Sequence, residues 1–321
     1  MKPKIYLRAD GNSEIGLGHV IRSLALAEML NEDFDCIFAT RFLTDYIHSE
    51  ARKICNNIIK LPETDNHFDA FLSILTGNEI VVLDNYFFTT QYQQKIKDRG
   101  CKLVCIDDMH NKHFVADVVI NHAGEISAGA YSVESYTQLC LGVQYVLLRK
   151  DFLEAAYLRN KSTHNNNLLI CLGGADPHSH ILQILHQLQE KHFCFNIHLV
   201  LGNAFMYREA LDTFLKNTTL GVQNYYDLSP KEMVSLMQHC SQAICTPSTT
   251  SMEYLTVRGG SLYLYPIAEN QMYLLDYYLM QGLGFEFSKI SLLNPPIPSK
   301  QALQQFDGKS NKRISQYFSQ L

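Results

Sequence analysis

Short apolar runs alternate with amphipathic stretches along most of this chain. KIYLRA (4–9) predicts a strand, and GHVIRSLALAEML (18–30) carries its apolar residues at helical spacing. FDCIFAT (34–40) predicts a second strand, with a helix near 43–54 after it. EIVVLDN (79–85), CKLVCIDD (101–108) and ADVVINH (116–122) are near-continuous apolar runs that end in polar residues. Strands buried on both faces of a parallel sheet have this pattern, and such sheets place their ligand contacts at the strands' carboxyl ends.

Between Asp151 and Asn167 the apolar runs give way to a polar stretch, KSTHNNN, which predicts a linker. The alternation then restarts with LLICLGG (168–174), a helix near 178–191 and FNIHLVLG (195–202). A helix near 204–216, a strand at 219–223 and a helix near 229–239 follow, and SQAICTP (241–247) and SLYLYPI (261–267) each lead into a further helix. The expected fold is α/β, with two Rossmann-like, doubly wound domains facing one another across a cleft. Residues 1–150 form the first, 151–166 the linker and 167–321 the second. The last 30 residues are weakly periodic and predict a terminal helix without chemistry.

With 321 residues, two cores of about 150 residues each are the natural division. Hydrophobic residues at 46% and charged residues at 18% indicate a globular chain. The net charge of -5, without a basic block, gives no electrostatic footprint for nucleic acid. No apolar run is long enough to span a membrane, and polar residues come too early in the chain for a signal peptide. Nine cysteines without a CxxC pair predict reduced, buried thiols and a cytoplasmic setting. Oligomeric state stays open, with a monomer compatible with all of this.

Four constellations can carry chemistry. In GLGHVIR, Gly16 and Gly18 allow a tight turn from the first strand into the first helix, whose unpaired N–H groups suit an anion. His19 falls in the first turn, and Arg22 lies on the same face one turn on. Asp10, just upstream, can orient His19, bind a hydroxyl or simply hold a turn. In LDNY, Asn85 and Tyr86 close a buried strand, where Tyr86 can donate to a sugar oxygen or pack under a loop. Asp107 and Asp108 end the next strand, and His110 and His113 lie nearby. No cluster completes a metal site, so no metal and no cofactor are expected. In CLGGADP, Gly173 and Gly174 offer an anion loop or a plain βα turn, without the Lys-Ser/Thr of a P-loop or the third glycine of a dinucleotide fingerprint. In TPSTTSMEY, Ser248, Thr249 and Thr250 open a helix as a diphosphate cradle would, with Glu253 placed for a ribose; a capping box of Thr250 with Glu253 explains the same spacing. Asn270 and Gln271 in AENQ suit phosphate or sugar hydroxyls.

Taken in order, RADGNSEIGLGHVIRSLALA, VVLDNY, VCIDD, ADVVIN, LGVQYVLLRKDF, ICLGGADP, CTPSTTSMEY and AENQ resemble the PseG family of UDP-2,4-diacetamido-2,4,6-trideoxy-β-L-altropyranose hydrolases of pseudaminic acid biosynthesis. The same signature occurs in spore-coat polysaccharide biosynthesis proteins. The resemblance implies a GT-B architecture, UDP held mainly by the second domain, and metal-independent, inverting hydrolysis at the anomeric C1–O bond. It places the catalytic histidine on His19 and the family's tyrosine on Tyr86. The diphosphate loop falls on Ser248 to Thr250, the ribose carboxylate on Glu253 and the Asn-Gln pair on Asn270 and Gln271. Pro247-Ser248-Thr249 stands where many relatives have Gly-Ser-Thr. Two other functions share these motifs: a GT-B glycosyltransferase that uses an acceptor hydroxyl, and a nucleotide-sugar binding protein without turnover.

Overall fold

A computed structural model describes residues 2–12, 16–124, 126–159, 165–174, 176, 178–202, 205–291 and 295–321. Residues 160–164 of the expected linker, and Ala175 and Pro177 of the GGADP segment, lie outside the described residues. The chain divides into two compact units, Met1–Lys150 with Lys309–Leu321, and Asp151–Gly308.

In the first unit, β1 (Lys4–Ala9), α1 (Gly18–Leu30), β2 (Asp35–Thr40), α2 (Asp45–Arg52), β3 (Asn57–Lys60), α3 (His67–Ser73), β4 (Ile80–Asp84), α4 (Thr90–Asp98) and β5 (Lys102–Ile106) follow in order. After them come β6 (His113–Phe114), β7 (Val118–Asn121), β8 (Ser132–Val133) and β9 (Gln138–Leu141). Among the described residues, seven of these strands form one parallel sheet in the order β3-β2-β1-β4-β5-β7-β9.

The period-two alternation of a strand explains the continuous apolar runs. Ile5, Leu7 and Ala9, Ile80 and Val82, Val104 and Ile106, and Val118 and Ile120 face one core with Val20 and Leu24 of α1. The residues between them, among them Tyr6, Val81, Leu83, Leu103, Cys105 and Val119, face a second core with Phe71 of α3 and Tyr92 and Ile96 of α4.

The second unit contains α5 (Lys150–Tyr157, from Asp151 on), β10 (Asn167–Cys171), α6 (His180–Glu190), β11 (Asn196–Leu201), α7 (Arg208–Asn217), β12 (Gly221–Tyr226), α8 (Pro230–His239), β13 (Gln242–Cys245), α9 (Thr249–Val257), β14 (Ser261–Leu264), α10 (Met272–Met280) and β15 (Phe285–Glu286). Its described strands form a parallel sheet in the order β12-β11-β10-β13-β14-β15. At the ends of β10 and β11 the backbones approach so closely that a Cβ on Gly202 would collide with the Gly174 carbonyl.

The terminal helix α11 (Ser310–Phe318) packs on the first unit, not on the second with which the sequence pattern grouped it. Its apolar stripe explains this: Ile314 and Phe318 are buried in the α1-side core, and Phe318 meets Phe34 edge-on at 6.3 Å. Arg313 Nη1 donates to the Gln144 carbonyl at 3.2 Å. Of the nine free cysteines eight are buried, while Cys194 is exposed, contrary to the expectation for that residue. No helix among the described residues is long and apolar enough to cross a membrane. Phe318→Ala should cost about 3–4 kcal/mol through the cavity it leaves. Urea unfolding followed by circular dichroism checks this, and an unchanged midpoint would show that α11 is not part of the first core.

Candidate functional site

In both sheets the chain order reverses beside the first strand of the unit. β2 and β3 lie on one side of β1, and β4 onwards on the other; β11 and β12 lie on one side of β10, and β13 onwards on the other. At the carboxyl ends of such strand pairs the flanking loops diverge, which makes them the usual ligand positions of open α/β sheets.

In the first unit this position is occupied by charge. Gly16, in a left-handed conformation at φ 76°, turns the chain into α1, where no side chain among the described residues caps the helix start. His19 and Arg22 then meet Asp84, the last residue of β4, whose side chain is fully buried. His19 Nδ1 lies 2.7 Å from Asp84 Oδ1. Arg22 grips the same carboxylate through Nε to Oδ2 at 2.7 Å and Nη2 to Oδ1 at 2.6 Å. Its Nη1 reaches Asp108 Oδ2 at 3.0 Å. Ser23 Oγ adds a longer donation to Asp84 Oδ2 at 3.3 Å.

Burial alone would raise the Asp84 carboxyl; Arg22 and His19 outweigh it and bring the group down to about 2. Burial likewise works against the charge on Arg22, and Asp84 and Asp108 more than compensate. An ionised carboxylate only accepts hydrogen bonds, so the proton of His19 belongs on Nδ1, and Nε2 is left as the proton-accepting nitrogen. Tyr86 stands edge-on to the His19 ring at 4.9 Å, and its hydroxyl donates to Asp108 Oδ2 at 3.2 Å.

Asp10 does not reach this group. It follows Tyr6 and Arg8 on the opposite face of β1, where its buried carboxylate takes Arg8 at 2.6 and 2.8 Å, Arg41 Nε and N–H each at 2.7 Å, and Thr40 at 3.2 Å. Burial pushes its carboxyl up, but the two arginines hold it below the ordinary range. The expectation that Asp10 orients His19 is therefore corrected: Asp84 occupies that place. Asn85 ties the two strand ends together, accepting from Asp10 N–H at 2.7 Å and donating to the Asp10 carbonyl at 3.3 Å.

Sequence reasoning singled out Asp84 only as part of LDNY, and it passed over His122 altogether. Both follow from strand parity. Two residues beyond Val82, Ile106 and Ile120 of the α1-side core come Asp84, Asp108 and His122, on the same face of three neighbouring strands. Asp107, one position off, faces the other way and accepts from Tyr131 at 2.8 Å. His113 pairs with Ser132 and Glu134. No group of three metal-ligating side chains occurs among the described residues.

In the second unit, Gly173, at φ 98°, and Gly174 follow β10, and Ser248 precedes α9 beside them. The Thr250 hydroxyl and the Gly173 N–H both reach the Cys171 thiol, so the two loops converge. Asp176 caps α6, accepting from the N–H groups of His180 and Ile181 at 2.8 Å. The expected Thr250–Glu253 capping box gives way to one built on Ser248 and Ser251, because α9 starts two residues earlier. Ser251 Oγ accepts from Ser248 N–H at 3.1 Å and donates to the Ser248 carbonyl at 2.6 Å. Glu253 is buried in the helix, close enough to help raise the Cys171 and Cys245 thiols, where burial is the larger cause. Asn270 is exposed after β14, and Gln271 Oε1 accepts from Ile267 N–H at 2.8 Å.

No family model matches the chain. A Methanocaldococcus jannaschii protein described as uncharacterized is 29% identical over 78% of this chain and 53% of its own length. The UDP-2,4-diacetamido-2,4,6-trideoxy-beta-L-altropyranose hydrolase of Campylobacter jejuni is 27% identical over 58% of this chain and 65% of its own. The spore coat polysaccharide biosynthesis protein SpsG of Bacillus subtilis is 28% identical over 63% and 60%. The chain is similar to each of these proteins. The PseG resemblance read from the motifs is thus supported by relatives of that kind, although the chain spans less than two thirds of their length. Acinetobacter baumannii MurG superposes with a TM-score of 0.64 at 14% identity over 100% of both chains. Phytolacca americana UGT2 superposes with a TM-score of 0.59 at 10% identity over 100% of this chain and 94% of its own. The fold class is accordingly GT-B, with two Rossmann-like domains.

Burial and Arg22 push His122 down to about 4, against the opposing pull of Asp108 and Asp84. The unfolded imidazole takes up a proton near pH 6.5, whereas the folded one refuses it until about pH 4, so stability falls as pH drops through that window. At pH 5 His122 alone should make the fold roughly 2 kcal/mol less stable than at pH 8. Urea midpoints at the two pH values test this, with His122→Gln expected to flatten the difference; equal slopes in both proteins would contradict it.

Proposed function

We propose that this protein hydrolyses a UDP-linked 2,4-diacetamido-2,4,6-trideoxy sugar at its anomeric carbon, with His19 as the general base. The observation that carries the proposal is the 2.7 Å contact of His19 Nδ1 with a buried, ionised Asp84, which directs the basic Nε2 lone pair away from the carboxylate. In the reaction, Nε2 removes a proton from water as the water oxygen attacks C1. The C1–O bond breaks, its electron pair leaves with UDP, and the configuration at C1 inverts. Asp84 stabilises the imidazolium that forms, and Arg22 keeps Asp84 ionised and fixed.

Charge supports the division of labour. The His19 group sets two carboxylates, Asp84 and Asp108, against the single guanidinium of Arg22, which favours the positive charge that develops on the sugar ring. A diphosphate finds better partners in the second unit. There Gly173, Gly174, Ser248, Thr249 and Thr250 would bind the phosphates, Glu253 the ribose, and Asn270 and Gln271 the remaining oxygens. Gly16, Gly18, Asn85 and Tyr86 would shape the sugar side. The names of the curated relatives support the same substrate class.

The test is incubation with UDP-2,4-diacetamido-2,4,6-trideoxy-β-L-altropyranose in oxygen-18 water with EDTA and no acceptor. Label in the released sugar and none in UDP is expected. Label in UDP would reject the role of His19, and release that needs an added acceptor hydroxyl would favour a glycosyltransferase. His19→Asn should lower kcat by ~10³-fold or more with UDP affinity kept. Asp84→Asn should lower it by ~10²–10⁴-fold, through loss of the tautomer and of imidazolium stabilisation. An Asp84→Asn enzyme with wild-type kcat would sink the proposed arrangement.

A further inference from the structure

Asp108 and His122 contain two buried polar atoms that the network around His19 does not use. Asp108 Oδ2 serves both Arg22 and Tyr86, whereas Oδ1 is buried with no hydrogen-bond partner among the described residues. His122 is 6% exposed, and its Nδ1 is buried and equally without a partner among them. Asp108 and His122 follow the paired Ile106 and Ile120 by two positions, just past the carboxyl ends of β5 and β7, and lie close enough for the Asp108 charge to act on the His122 imidazole. A buried polar group without a partner is costly, and two such neighbours next to a candidate site point to a group that satisfies both.

We propose that Asp108 and His122 form a specificity subsite for one uncharged hydrogen-bonding group of the sugar, an amide or a hydroxyl. This rests on the hydrolase reading given above. An anionic group is disfavoured by the Asp108 carboxylate, and a cationic one by Arg22, which already spans Asp84 and Asp108. A neutral group that both donates and accepts meets no such opposition: its N–H or O–H donates to Asp108 Oδ1, and its oxygen accepts a hydrogen bond from His122 Nδ1–H. An N-acetyl substituent carries both functions on adjacent atoms, which makes it the best match. Asp108 also holds the Tyr86 hydroxyl, so the subsite adjoins the ring that stands against His19.

The experiment measures binding and turnover separately, at pH 8, where the acid sensitivity of His122 is silent. In the His19→Asn background, calorimetry compares UDP with UDP-2,4-diacetamido-2,4,6-trideoxy-β-L-altropyranose, before and after His122→Phe and His122→Gln. The sugar should add affinity in the parent; His122→Phe should remove about tenfold of it, leave UDP affinity within about twofold, and be partly rescued by His122→Gln. In the otherwise wild-type enzyme, His122→Phe should lower kcat/KM mainly through KM. A sugar contribution that is absent in the parent, or equal in parent and His122→Phe, would overturn the subsite. Failure of the wild type to release UDP would instead overturn the hydrolase reading and leave the binding comparison standing on its own. Urea unfolding of each variant separates a lost contact from a lost fold.

Discussion

A carboxylate with no exposure to water stays ionised only if fixed positive partners replace the water, and Asp84 is built around that requirement. Arg22 supplies the charge in a two-point grip, and His19 supplies a further hydrogen bond. Each partner depends on α1 starting where it does, two residues after Gly16. The helix start, the end of β4 and the histidine tautomer are therefore coupled: displacing any of them leaves a buried charge without its counterpart.

The two units use one architectural plan for different chemistry. Both place a loop-to-helix transition beside a reversal of strand order. In the first, that position is filled by side-chain charges, two carboxylates around one guanidinium, with the His19 imidazole held against them. In the second, small residues and hydroxyls dominate, Gly173, Gly174 and Ser248 to Thr250, and the backbone N–H groups carry the positive potential. Side chains set the electrostatics of the first position, and backbone groups those of the second.

Most of the fold was legible because buried parallel strands leave long apolar runs, and β1 and α1 fall where KIYLRA and GHVIRSLALAEML predicted them. The start of α9 was less legible. Ser248, Thr249, Thr250 and Ser251 offer four hydroxyls in succession, and composition does not say which one caps. Asp10 and Asp84 show a subtler limit. Each ends an apolar run, and what separates them is parity: Asp84 is two positions past an α1-facing residue, while Asp10 is one position past another. Parity is written in the sequence, but its meaning depends on which face α1 covers. The contact between His19 and Asp84 spans 65 residues, and no local pattern announces it. His122 was passed over for the same reason: it is one of the polar residues that end ADVVINH, and the charges around it come from other parts of the chain.

The return of the chain to its starting unit bears on how the protein is made. The first sheet is assembled from residues before Lys150, yet part of its α1-side core, Ile314 and Phe318, comes only after the whole of Asp151–Gly308. During synthesis the second unit therefore has all of its own residues before the first has its closing helix. The unit that carries His19 is thus completed only by residues that follow the whole of the other unit in the sequence.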